Sequence, residues 1–243
     1  MPSHPHTPIL TIYKPAGITS FDVIRRLRRI FPNTKMGHAG TLDPFASGVL
    51  LVAFGHTTKE IPRLQTLEKE YVATLKLGTI STTYDPTGVL IHVCPRFQKQ
   101  QFTKYQQYFP VFFKKINCEP PSRQQIRVVL HQFVGNIDQI PPVFSAKKLR
   151  GVRAYILARE GKPVIPPPRK VSIRAISVLS YRWPVLTICV VCGSGTYIRS
   201  LAYDIGMRLG CGAYLSALVR TRIGRFRVKD AKRLSVFSTR SVA

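Results

Sequence analysis

Apolar residues recur at Phe21, Ile24, Leu27 and Phe31 of "TSFDVIRRLRRIF", the spacing of an amphipathic helix beneath an arginine-rich face, with Thr19 or Ser20 as its cap. A second helix is predicted at "SRQQIRVVLHQF", where Ser122 and Gln125 have capping-box spacing. A third runs from about Thr196 to Leu209, with Ile198, Leu201, Ile205 and Leu209 as its apolar stripe. Strands are predicted at 9–13, 48–54, 70–77, 171–181, 186–192 and 224–228, each rich in β-branched or aromatic residues and bounded by glycine, proline or polar clusters. Strands outnumber helices and do not alternate with them strictly. That order predicts an α+β fold, a mixed and largely antiparallel central sheet with flanking helices. The chain contains no internal repeat and no low-complexity tract.

Charge changes the picture more than size does. The 243 residues, 44% of them hydrophobic, suffice for one large domain or one domain with a modest appendage. Lysine and arginine number 37 against 11 acids, a net charge of +26 that repels itself unless a polyanion neutralises it. Nucleic acid is therefore the expected partner class. Ser145 to Arg174 holds nine lysines and arginines and one acid, Glu160, and contains the stiff polyproline-like "PVIPPPRK". It reads as a basic loop or an inserted arm gripping a phosphate backbone. The run from Arg220 to Ala243 carries eight positive side chains against Asp230, and its simplest reading is a solvated tail.

No basic segment followed by a long apolar core opens the chain, and runs such as "VLLVAF" are too short to cross a bilayer, so a cytoplasmic protein without membrane association is expected. Five scattered cysteines fit a reducing compartment. Cys189 and Cys192 form a C-x-x-C, but within a strand residues three apart face opposite ways and do not chelate together. No zinc-deaminase signature, dinucleotide fingerprint, Walker motif or clustered metal site is present, so the expected chemistry uses no metal and no redox cofactor.

The stretch "MGHAGTLDPFASG" places Asp43 among glycines that permit unusual torsions and close approach of a ligand. Aspartate before proline is commonly a turn residue holding its own backbone; the sharper reading is a loop built to present one carboxylate. His38 reads as an acid–base group, a stacking ring or a structural histidine. Arg199 falls in the first turn of a helix, where the dipole disfavours a cation, so an anionic partner is expected, a phosphate or a carboxylate. Were that partner Asp43, the opposite charge would favour the ionised carboxylate, a competent nucleophile or base. Tyr71 in "KEYVATLKLG" is a sheet aromatic or a platform on which an extruded base stacks.

Taken in order, "YKPAGITSFDVIRRLRR", "GHAGTLDPFASGVLLVAFGHTTK", "KEYVATLKLG", "YDPTG", "PPVFSAKK", "GSGTYIRSLAYDIG" and "LVRTRIGRF" resemble the bacterial tRNA pseudouridine synthase B, or TruB, family over about Ile12 to Phe226. The resemblance implies the pseudouridine synthase fold, with a basic arm at about 145–171 inserted into a single catalytic domain spanning 1–243. It implies isomerisation of uridine 55 in the T-loop of tRNA, without a cofactor. Asp43 becomes the catalytic carboxylate, either attacking C1′ or taking the C2′ proton to give a glycal. Tyr71 looks like the tyrosine that stacks on the target base and helps remove the C5 proton. Arg199 looks like the arginine that pairs with Asp43, and His38 like the histidine filling space vacated by flipped nucleotides. Lys14 and Pro15 belong to a packing motif beside the catalytic loop, Tyr197 to the arginine's motif, and Leu218 resembles the leucine bordering the pocket.

The implied partner is the T-stem-loop of tRNA, with no obligatory protein partner and a monomeric enzyme. The chain ends 17 residues after "GRF", so no C-terminal PUA module is expected, and the high charge is expected to compensate for the contacts such a module supplies. The rival readings are a non-catalytic tRNA-binding protein or tRNA-folding chaperone, and the guide-RNA-dependent synthase of ribonucleoprotein particles. Retention of Asp43, Tyr71 and Arg199 favours an enzyme over the first, and the early end of the chain argues against the second.

Overall fold

The computed structural model describes residues 9–93, 103–110, 119–145, 148–149 and 151–237. In chain order the elements are β1 (Ile9–Lys14), α1 (Ser20–Ile30), β2 (Met36–Ala39), β3 (Ser47–Phe54), α2 (Ile61–Thr66), β4 (Lys69–Leu77), β5 (Thr79–Ser81), β6 (Leu90–His92), α3 (Arg123–His131) and β7 (Gly135–Gln139). There follow β8 (Lys148–Leu149), β9 (Val152–Arg153), α4 (Ala154–Arg159), β10 (Arg169–Arg182), β11 (Val185–Cys192), α5 (Ile198–Leu209), β12 (Ala213–Ile223), β13 (Phe226–Arg227) and β14 (Lys232–Arg233). Short 3-10 turns link several of them. The chain forms two compact units, Met1–Val72 with Leu218–Ala243, and Ala73–Ala217.

In the first unit the strand order is β14-β1-β3-β12, with β2 also on β3 and β13 on β12. β1 runs antiparallel to β3, and β3 parallel to β12, where Val219 pairs with Ser47 and Arg220 with Gly48. This mixture of pairings matches the expected fold class. Thr19 caps α1: its hydroxyl accepts from the Asp22 amide while the Asp22 carboxylate accepts from the Thr19 amide. α1 buries Val23, Ile24 and Leu27 against Leu10, Ile12, Leu50, Val52 and Phe54. The alternate residues of β3, Val49 and Leu51, pack with Leu64 and Ile223 on the opposite face. β3 is therefore apolar in both directions, which explains why "VLLVAF" has no polar alternation.

One expectation for α1 fails. Phe21 is not in the buried stripe but 52% exposed, and Val23 takes its place. At about 100° per residue, Phe21 stands roughly 80° round the helix from Phe31, on the flank shared with Arg25 and Arg28. The Arg220–Ala243 run is not a solvated tail over its described part either. Arg220 is 1% exposed, and Arg222 bridges Glu68 at 2.9 Å and Glu70 at 3.5 Å. The strand expected at 224–228 contracts to Phe226–Arg227, beside the long β12 that arginine-interrupted "LVRTRI" conceals. The last six residues lie outside the described region.

The second unit is built on the antiparallel order β11-β10-β7, with the Ala73–Leu77 half of β4 beside β11. α3 begins at the predicted capping box, with the Gln125 amide nitrogen on Ser122 Oγ at 3.2 Å and the Ser122 amide on Gln125 Oε1 at 2.7 Å. α5 buries all four residues of its predicted stripe. Gly206 lets α5 approach the chain that follows it, because a Cβ there would lie 2.1 Å from the Ala213 nitrogen. In β11 Cys192 is buried and Cys189 half-buried on the alternate face, as the strand reading required. Within the basic segment from 145 to 174, β8 and β9 form a short hairpin, Lys148 opposite Arg153, leading into α4. Residues 146, 147 and 150 of that segment lie outside the described region. Among the described residues no helix is long and apolar enough to cross a membrane.

Candidate active site

Five of the residues singled out by sequence, Lys14, His38, Asp43, Tyr71 and Leu218, fall in the first unit; Tyr197 and Arg199 fall in the second. The first group centres on the connection from β2 to β3, residues 40–46, which carries Asp43. The backbone of that connection is anchored at several points. The Arg220 guanidinium donates to the carbonyls of Gly40 (3.0 Å), Thr41 (3.4 Å) and Val49 (2.8 Å). Ser20 Oγ accepts from the Leu42 amide at 2.9 Å and donates to the Leu42 carbonyl at 3.1 Å. The Pro44 carbonyl accepts from the Gly17 amide at 2.8 Å and from Lys14 Nζ at 3.3 Å, and Asp43's own carbonyl accepts from the Ala46 amide at 3.1 Å. Asp43 closes a turn with its backbone, as an aspartate before proline commonly does, and its side chain is half-buried on this anchored loop.

Two buried cations support this loop. Lys14, fully buried at the end of β1, also donates to the carbonyls of Pro15 (2.9 Å) and Ile18 (2.7 Å). Burial pushes the Lys14 ammonium down to about 8, against the attraction of Asp43 and with the added repulsion of Arg220. Arg220 reaches the loop because Gly48 lets the parallel strands touch: with φ +113°, a Cβ at Gly48 would lie 2.2 Å from the Arg220 carbonyl oxygen. His38, in β2 opposite Val52, is half-buried, and its Nδ1 has no hydrogen-bond partner. Burial, and then the Arg220 charge, hold it below the usual imidazole range, so it is a neutral ring at neutral pH. Tyr71 is 8% exposed on the buried face of β4, and Leu218 is 6% exposed on β12.

Lys14 gives the site a pH signature. Its proton is lost as pH rises through about 8, removing a positive charge beside Asp43. The rate constant kcat/KM should fall on that alkaline limb, and Lys14→Arg should move the limb upward. Stability should change in the opposite sense. Because the folded value lies below the ordinary lysine value of 10.5, the unfolded chain binds more protons between about 8 and 10.5, so this group's contribution rises with pH over that window. A urea midpoint that rises while activity falls would identify local discharge; activity level to pH 10 would rule it out.

In the second unit Arg199 is the second residue of α5 and only 6% exposed. The anion that its dipole environment requires includes Asp85, with Nη1 3.4 Å from Oδ2. The same guanidinium donates to the carbonyls of Thr83 and Phe144, each at 3.2 Å. Asp85 Oδ1 in turn accepts from Thr83 Oγ1 (2.6 Å), Thr87 Oγ1 (2.5 Å) and the Thr87 amide (2.9 Å). The carboxylate is fixed before it meets the arginine. The start of α5 is also clamped: the side-chain amide of Gln139, 1% exposed, accepts from the Tyr197 amide at 2.8 Å and donates to the Tyr197 carbonyl at 3.1 Å. Tyr197 itself is half-buried under the Arg169 guanidinium, 5.3 Å from its ring centroid.

Arg220, Asp85 and Gln139 were not singled out from sequence, and Ser20 only as a candidate helix cap. Asp85 had a signal, being one of 11 acids and lying inside the quoted "YDPTG". Arg220 had a weaker one in "LVRTRIGRF", where it reads as one more basic residue. Ser20 and Gln139 act on residues 22 and 58 positions away in the chain, which no local pattern reveals. Among the described residues no group of three histidine, cysteine, aspartate or glutamate side chains could hold a metal ion.

An anchored aspartate loop on a mixed sheet, in a chain charged for a polyanion, suits an enzyme acting on nucleic acid, and comparison with known proteins gives the class as pseudouridylate synthase. The family model described as TruB family pseudouridylate synthase, N-terminal domain, matches residues 28–123 and 111–198, and that of the tRNA pseudouridylate synthase B C-terminal domain matches 199–239. The chain belongs to the TruB family of pseudouridylate synthases. A tRNA pseudouridine synthase B of Dehalococcoides mccartyi is 43% identical over 92% of this chain and 67% of its own length. That of Clostridium acetobutylicum is 41% identical over 90% and 68%. Among solved structures, a chain of a Cbf5-Nop10-Gar1 complex superposes with TM-score 0.66 at 29% identity, over 93% of this chain and 52% of that one. A chain from an H/ACA RNP bound to a substrate RNA containing 2′-deoxyuridine gives TM-score 0.63 at 27% identity, over 93% and 51%. The chain thus spans about two thirds of these curated relatives and about half of these solved chains.

Proposed function

We propose that this chain isomerises uridine 55 in the T-loop of tRNA to pseudouridine, with Asp43 as the catalytic carboxylate. The observation that carries the reading is the loop of residues 40–46, whose backbone is tied down by Arg220, Ser20, Gly17 and Lys14 while the Asp43 side chain is displayed. Preorganisation of this kind suits a group that must meet a reacting atom. In the reaction the bond from N1 to C1′ breaks, the base turns, and C5 bonds to C1′; the C5 proton leaves and N1 gains one, so no oxidant or reductant is needed. Asp43 acts on C1′ as nucleophile or on the C2′ proton as base.

Tyr71 stacks on the flipped uracil and assists loss of the C5 proton. Arg199 supplies a fixed cation to the substrate site, His38 fills space left by flipped nucleotides, Leu218 borders the base, and Lys14, Pro15 and Tyr197 hold the surrounding backbone. The domain arrangement proposed is one catalytic domain whose basic arm, about 145–171, clasps the T-stem-loop. The protein acts as a monomer in the cytoplasm. The tRNA assignment is supported by the relatives named tRNA pseudouridine synthase B, at 41–43% identity, against 27–29% for the chains from the Cbf5 and H/ACA assemblies.

The test is tritium release from a tRNA transcript labelled at uridine C5, with chelator present and the product mapped to its position. Release of one label per tRNA, from the T-loop uridine, is expected. Binding without release would make the chain a tRNA-binding or tRNA-folding protein.

A further inference from the structure

The exposed flank of α1 has no role in the loop or in the core. Phe21 stands 52% exposed, and the guanidiniums of Arg25 and Arg28 both lie over its ring, each 5.8 Å from the centroid. Arg26 and Arg29 are exposed on the same short helix. Asp22 is the acid within the helix, and it is committed to the Thr19 cap and to Arg25 at 3.2 Å. A phenyl ring that bears two cations gathers two planar, weakly hydrated guanidiniums on one exposed flank.

We propose that the Phe21, Arg25 and Arg28 flank is a docking surface for the phosphate backbone of the substrate tRNA. The inference rests on the reading that this chain acts on tRNA. Charge complementarity selects the occupant: four exposed arginines on an 11-residue helix, in a chain of net charge +26, oppose an apolar or basic partner and suit a polyanion. Position supports it. The residue preceding Phe21 is Ser20, whose hydroxyl holds the Leu42 amide and carbonyl, so the flank begins beside the Asp43 loop and extends from it by the length of α1, about 16 Å. RNA whose reacting nucleotide lies at Asp43 therefore has backbone within reach of the two guanidiniums. The phenyl ring gives both guanidiniums a common platform before RNA arrives.

The experiment compares the full chain with Arg25→Gln/Arg28→Gln and with Phe21→Leu on a tRNA transcript over a range of salt concentrations, with Arg63→Gln, an exposed arginine on α2, as control. For the double variant KM should rise about tenfold with kcat retained, and the slope of log(kcat/KM) against log salt should shrink by about 1–2. Phe21→Leu should raise KM by a smaller factor, and the control should match the wild type. A double variant with unchanged KM and salt slope, alongside an active wild type, would overturn the docking surface and leave the function intact. Were the wild type inactive, the proposed function would fail instead, and equilibrium tRNA binding by the same variants would decide the surface: an unreduced salt slope would overturn it.

Discussion

Asp43→Asn should lower pseudouridine formation by about 10⁴-fold or more while leaving tRNA affinity within about threefold. Asparagine keeps the size and shape of aspartate but is neither a nucleophile nor a base at this position. The backbone of the loop is held by other groups. Its carbonyls at Gly40, Thr41 and Pro44 are taken by Arg220, Lys14 and the Gly17 amide, and its Leu42 amide by Ser20. Binding draws on phosphate contacts spread over a chain of net charge +26, which one neutralised carboxylate hardly alters. The comparison requires single-turnover rates and equilibrium binding on one transcript. An affinity loss beyond tenfold would move Asp43 from the reaction to the architecture of the loop.

Arg220→Met should be the most damaging change to the fold of the first unit, by about 3–5 kcal/mol. Methionine fills much of the volume but leaves the carbonyls of Val49, Gly40 and Thr41 without their donor in a buried site. Each unsatisfied buried acceptor costs about 1–3 kcal/mol, partly relieved where the chain relaxes toward water. Arg220→Lys keeps the charge, but an ammonium lacks the fork that spans three carbonyls, so it should recover part of the stability and little of the rate. Urea unfolding followed at both variants, with kcat measured on the folded fraction, checks both statements. Wild-type stability in Arg220→Met would show that the loop supports itself.

The parts of this structure that sequence revealed are those governed by nearby residues. Thr19 as one of the two candidate caps of α1, Ser122 with Gln125, and the stripe from Ile198 to Leu209 are patterns closed within a few positions, and each appears where expected. Strands β1, β3, β4, β10 and β11 were legible for the same reason. β2 was not, because "MGHA" has loop composition and becomes a strand only by pairing with β3. β7, "GNIDQ", is polar and is a strand through β10. Phe21 was assigned to the core because hydrophobicity was read without its angle round the helix. Motif resemblance singled out Asp43, Lys14 and Arg199, but the groups that hold the Asp43 loop, Arg220 and Ser20, and the partner of Arg199, Asp85, act over long sequence distances or through backbone atoms. Carbonyl acceptors have no letter in a sequence, and the anchoring of the Asp43 loop consists mostly of carbonyls.

The crossing of Gly48 and Arg220 also restricts how the protein can vary. Every residue one base change from glycine carries a Cβ, and at position 48 that atom would strike the Arg220 backbone at 2.2–2.9 Å, not a side chain that could swing aside. No change at Arg220 relieves the clash, since main chain is common to all residues. Position 48 is thus a mutational dead end: whatever side chain stands at 220, the main chain beside it admits only glycine.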